Sequence, residues 1–214
     1  SPDEYVKEYG ADVFRLYLMF GFSYVDGGPW SDDGIKAIAR FISRIEKIIS
    51  SFISIRNEES TVSMENLENQ LNYKLHLSIK GITEDAEKFQ FNTAIAKFME
   101  LLNAIYKYDS ECENKNIPFF EHVISTFLIM LAPFAPHFCE EMWETLGYEY
   151  SISNNKWPEF KKENLIKNEV EIAIQINGTL RHKITILSNI SDKEIESIVL
   201  SEEKLKPFLE NKKI

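Results

Sequence analysis

Lys36, Arg40, Arg44 and Lys47 fall within one stretch, GIKAIARFISRIEKIISSFISIR, which runs from Gly34 to Arg56. At about 100° per residue on a helix, the four gather within roughly 80° of the circumference. Cations arranged this way on a rigid rod can follow a phosphate backbone, attracting it electrostatically without reading bases. The same stripe also reads as a solvated face, the commoner role of surface charge. Its local balance is unusual. Five basic residues stand against Glu46 alone, in a chain whose 34 acidic and 24 basic residues give a formal charge of −10. An acidic total argues against indiscriminate nucleic-acid binding, because phosphate repels carboxylate, but it permits one basic patch.

Other groupings carry less chemistry. His137 and Glu141 stand one helical turn apart with Cys139 between them. No H-E-x-x-H and no second pair of ligands accompany them, so His137 reads as a capping or core residue and no metal site is expected. Gly27-Gly28-Pro29 follows no strand and precedes no G-K-[ST], which makes it a tight turn and not a phosphate cradle. Trp30, Trp143 and Trp157 read as packing anchors, although Trp30, beside a loop, is also placed to stack on a base. Two cysteines, Cys112 and Cys139, form neither a disulfide framework nor a C-x-x-C pair and are expected to be reduced structural thiols. No catalytic constellation emerges, and no cofactor is expected in these residues.

The elements that must hold the stripe follow from periodicity. Ser1 and Pro2 open a short helix that Gly10 ends; Ala11 to Phe20 continues as an apolar helix, and 21–30 reads as a loop. Ser31 caps the basic helix, whose other face carries Ile35, Ile38, Phe41, Ile42, Ile45, Ile48, Ile49 and Phe52. After a polar loop over 57–66, Leu67, Leu71, Leu75, Ile79 and Ile82 repeat at helical spacing, with Gly81 loosening that helix. Asn92-Thr93 offers a cap for a helix over 94–108 with Ile95, Phe98, Leu101, Leu102 and Ile105 inward, and 109–117 reads as a charged loop. Pro118 opens a further helix to Leu131, and Pro133 and Pro136 break and restart it before Gly147. Beyond Trp157-Pro158 the period becomes two. Val170, Ile172, Ile174 and Ile176 alternate, Asn177-Gly178 turns the chain, and Leu180, His182, Ile184 and Ile186 alternate again. Ser191 begins a capping box for a short helix, and 201–209 reads as a second one. Arg181 and Lys183 face the same way on the second strand. No apolar run reaches the roughly 18 residues of a membrane span, and the charged N-terminus lacks a signal peptide's apolar segment. The expected fold is mainly α, an antiparallel helical bundle followed by a small α+β piece with a β-hairpin.

Three stretches together resemble the leucyl-tRNA synthetases of class I. They are YGADVFRLYLMF with WSDDGIKAIARFISRI, FQFNTAIAKFMELLNAIYKY with LAPFAPHFCEEMWETLG, and WPEF followed by IAIQINGTLRHKI. LAPFAPHFCEEMW alone is similar to the wider valyl, isoleucyl and leucyl group; W-S-D-x-G with R-F-I-x-R and the Q-I-N-G-x-L-R hairpin favour leucyl. The resemblance implies a C-terminal fragment without the H-I-G-H and K-M-S-K-S type motifs, divided into connecting helices over 1–30, an anticodon-binding-type bundle over 31–165, and the truncated start of a small C-terminal domain over 166–214. It implies that the intact enzyme attaches leucine to tRNA(Leu) with ATP and Mg²⁺ in the cytoplasm, and that this piece positions the tRNA without catalysing; nothing in the sequence suggests an obligate oligomer, so a monomer is expected. Leucyl enzymes generally leave the anticodon unread, so the implied contacts are with the tRNA body: Lys36, Arg40, Arg44, Lys47 and Trp30, with Arg181 and Lys183 secondary. Thr179 and His182 depart from the Lys and Gly common at those places in the family, which weakens a phosphate contact at that turn. Other readings are the same part of a valyl or isoleucyl enzyme, or a helical adaptor that binds proteins through an apolar groove.

Overall fold

Ser1 accepts a hydrogen bond from the Asp3 N–H and Pro2 takes the first helical position, which starts α1 (Pro2–Tyr9). A computed structural model describes residues 1–22, 27–57, 65–165, 169–176, 178–187, 192–202 and 205. Gly10, at φ +87°, makes the turn into α2 (Ala11–Gly21) that a Cβ would disfavour. The bundle continues through α3 (Asp32–Ile55), α4 (Glu65–Glu87), α5 (Phe91–Glu111), α6 (Ile117–Leu131) and α7 (Pro136–Thr145). By internal contacts the chain divides into two compact units, 1–165 and 166–214. The connecting helices α1 and α2 thus share one unit with the bundle.

The apolar stripes do what their spacing dictates. All eight residues expected on the inner face of α3 are buried, as are Leu71, Leu75, Ile79 and Ile82 of α4 and all five expected on α5. Each such Ile, Leu or Phe contributes about 1.5–3 kcal/mol on burial. Gly81 does not loosen α4. It lies where a Cβ would stand 2.7 Å from Cε of Lys97, so it lets α4 and α5 approach closely while Lys97 pairs with Asp85.

Two boundaries differ from the periodicity. α5 begins at Phe91, ahead of Asn92-Thr93, because α4 ends in a turn that feeds it directly: the Gln90 N–H reaches the Asp85 carbonyl at 2.8 Å and the Phe89 N–H reaches Ala86 at 3.1 Å. This pair of bonds is a Schellman motif, and its left-handed residue is Phe89, at φ +58°, where glycine is usual. Asp109 remains helical because Ser51 donates to its carboxylate at 3.1 Å and Lys115 lies 3.6 Å away, so the loop shrinks to 112–116. Phe89→Gly is expected to raise stability by about 1 kcal/mol, since the αL penalty is relieved while an exposed ring is lost. A chemical-denaturation midpoint that falls would show that the Phe89 side chain stabilises more than its backbone strains.

In the second unit, β1 (Glu169–Ile176) pairs antiparallel with β2 (Thr179–Leu187). Ile184 and Ile186 are buried with Val199 of α8 (Asp192–Ser201) and Leu205, and Ile172, Ile174, Ile176 and Ile195 pack against them. Leu180 breaks the expected alternation. Ile174 pairs with His182 but Gln175 with Leu180, so the register slips by one residue at a bulge around Arg181, and Leu180 is exposed instead of facing inward. Expectations for 23–26, 58–64, Asn177, Ser191 and 206–209 lie outside the described residues. Among the described residues, no helix is long and apolar enough to cross a membrane.

Candidate nucleic-acid interface

The start of α3 is fixed before its cations are presented. Ser31 accepts from the Gly34 N–H at 3.2 Å as a helix cap, and its own N–H donates to the Tyr17 hydroxyl at 2.7 Å. Asp32 accepts from the Trp30 indole at 2.8 Å and from the Tyr5 hydroxyl at 2.9 Å. These two donors, the indole first, hold the Asp32 carboxyl below the ordinary carboxylate pKa. Trp30 packs against Tyr5, with ring centroids 4.3 Å apart, and edge-on against Tyr17 at 4.7 Å. Its indole N–H and part of its faces are therefore engaged in joining α1, α2 and α3. Gly34 is required here because a Cβ would lie 2.6 Å from the Tyr17 ring.

The outer face of α3 then carries the stripe. Lys36, Arg40 and Lys47 are exposed, and among the described residues none of them makes an ion pair. Several other basic residues of the bundle are compensated. Lys74 pairs with Glu100 at 2.6 Å, Lys115 with Asp109, and Lys97 with Asp85. Arg44 differs from its three companions. It is half-buried, its guanidinium lies 4.8 Å over the Tyr106 ring, and it donates to Oδ1 of Asn103 at 2.8 Å. The fifth cation of the stretch, Arg56, is structural. It donates to Glu121 at 2.6 Å and to the Leu146 carbonyl, joining the end of α3 to α6 and to the end of α7.

Arg181 and Lys183 are exposed on β2 within the second unit. His137 is neither a core residue nor a cap: its side chain is 82% exposed, with Nδ1 3.1 Å from Asp12. The cap of α7 is Asp12 itself, a buried carboxylate that accepts from the Phe138 N–H at 2.6 Å. Sequence reading missed this role because the partners are 126 positions apart. No cluster of three potential metal ligands occurs among the described residues. Cys112 and Cys139 are free and buried, and burial pushes the Cys139 thiol well above its ordinary pKa. An apolar cleft of about 530 Å³ opens between Leu18, Met19, Phe22, Phe91, Phe134 and Trp157.

Comparison with known proteins agrees with this architecture. Curated leucine–tRNA ligases match along the whole chain, that of Caldanaerobacter subterraneus at 56% identity and that of Clostridium kluyveri at 51%, each over 216 residues. The chain spans 26% of the length of either relative. A solved LeuRS of Agrobacterium radiobacter, in a ternary complex with tRNA and LeuAMS, superposes with a TM-score of 0.77 at 26% identity, covering 100% of this chain and 28% of that one. Residues 68–197, more than half of the chain, match the family described as the anticodon-binding domain of tRNA ligase; the match starts within α4, beyond the cationic stripe. The chain thus belongs to the anticodon-binding domain family of tRNA ligases.

Proposed function

We propose that this chain is the tRNA-holding part of a leucine–tRNA ligase, and that α3 grips the phosphate backbone of tRNA(Leu) while leucine, ATP and Mg²⁺ are handled by the rest of a longer polypeptide. The observation that carries the contact surface is the run of Lys36, Arg40 and Lys47, exposed and without ion pairs among the described residues, in a chain of net charge −10. A helix rises about 1.5 Å per residue, so Lys36 and Lys47 stand roughly 16 Å apart and can reach successive backbone phosphates. Such contacts fix register and orientation without reading sequence. Holding the tRNA body brings its acceptor end to a distant reaction centre and lowers the entropic cost of meeting it. Arg181 and Lys183 are secondary candidates for the same backbone. The reading extends to a cytoplasmic monomer.

Fluorescence anisotropy with labelled tRNA tests it. Saturable binding is expected whose log affinity falls linearly with log salt, by about 0.7–0.9 per phosphate contact. A competing reading is a helical adaptor, favoured by the apolar cleft lined by Leu18 and Phe91. Absence of saturable, salt-sensitive tRNA binding would reject the first reading and leave the second.

A further inference from the structure

We infer that Arg44, Asn103 and Tyr106 form a nucleotide subsite at the edge of the α3 stripe, which takes the acceptor edge of one unstacked guanine of the bound RNA. The inference rests on the tRNA-binding reading and deepens it. Among the stripe cations, Arg44 is the one whose plane is fixed. The guanidinium lies 4.8 Å over the Tyr106 ring, and its Nη2 donates to Oδ1 of Asn103 at 2.8 Å. Tyr106 is held in turn, its hydroxyl donating to the Arg44 backbone carbonyl at 2.8 Å.

The partners are neutral, so the positive charge of Arg44 persists, whereas Arg56 spends its charge on Glu121. With Oδ1 of Asn103 accepting from Arg44, the groups that remain to donate are the Asn103 amide N–H pair and the other guanidinium N–H groups. A donor-rich edge on a fixed cation matches a base that presents two adjacent acceptors, and guanine does so with O6 and N7. A phosphate needs none of this planarity. A mobile ammonium such as Lys47 serves it, so immobilising Arg44 adds selectivity that backbone gripping does not use.

Arg44→Lys tests the distinction, because it keeps the charge and removes the plane. With tRNA as probe, binding is expected to weaken roughly tenfold with an unchanged salt slope, while Lys156→Arg, a like-charge change at an exposed position outside α3, changes it by less than about twofold. A stem-loop RNA with guanines in its loop should bind the parent more tightly than the same stem with loop uridines, and Arg44→Lys should erase that preference. Asn103→Ala, at an exposed helical position, is a second variant expected to lose the guanine preference, and thermal melts of both variants are compared with the parent. If Arg44→Lys melts like the parent, binds tRNA as tightly and keeps the loop preference, Arg44 is only a phosphate contact and the subsite is rejected, although the tRNA reading stands. If the parent itself shows no salt-sensitive binding, both are rejected.

Discussion

Changing Arg40 and Lys47 together to Glu is expected to weaken tRNA binding by about a hundredfold at physiological salt and to reduce the salt slope by about two units. Both side chains are exposed and make no ion pair among the described residues, so the change removes attraction and adds repulsion without disturbing the core. Glu is nearly as good a helix former as Arg or Lys, which keeps α3 intact. Arg44 is left alone because its contacts with Tyr106 and Asn103 would confuse packing with binding. Lys156→Glu, also exposed and in the same unit but outside α3, is the control and should change little. A double variant with the parent's slope would reduce the stripe to a solvated face.

The largest stability effect is expected at Asp12. The residue is 7% exposed, and its carboxylate accepts from the Phe138 N–H at 2.6 Å and meets His137 at 3.1 Å. It caps α7 from α2, placing negative charge at the positive end of the helix. Asp12→Ala leaves a buried N–H unsatisfied and is expected to cost about 2–3 kcal/mol. That corresponds to a drop of roughly 5–10 °C in Tm for a chain of this size. Asp12→Asn keeps an acceptor and loses the charge, so it should fall between the two. Equal melting temperatures for the parent and Asp12→Ala would mean that solvent satisfies the α7 terminus unaided.

Much of the bundle was legible because helical period is a local property. The eight inward residues of α3, Gly10 as a terminator and Ser31 as a cap all lie within a few positions of what they control. The hairpin was legible for the same reason, but not its bulge at Arg181, which turns Leu180 outward, because alternation in one strand says nothing about slippage against its partner. The start of α5 was misjudged because a Phe in a glycine-type turn has no sequence signature. In the candidate site, the stripe itself was visible as spacing. The separation of its members was not. Arg44 is set apart by residues 59 and 62 positions away, and Arg56 by partners on α6 and after α7. Trp30 looked available for stacking, yet its partners Tyr5 and Tyr17 stand far upstream of it in the chain.

The basic helix is clamped twice, by the Trp30, Tyr5 and Asp32 group where it begins and by Arg56 where it ends. At about 1.5 Å per residue, 24 residues make a strut of roughly 36 Å with neither end free to swing. On the proposed tRNA-holding reading, its charges would work as marks on a yardstick: an RNA whose phosphates match their pitch would be accepted whole, and one that does not would itself have to bend.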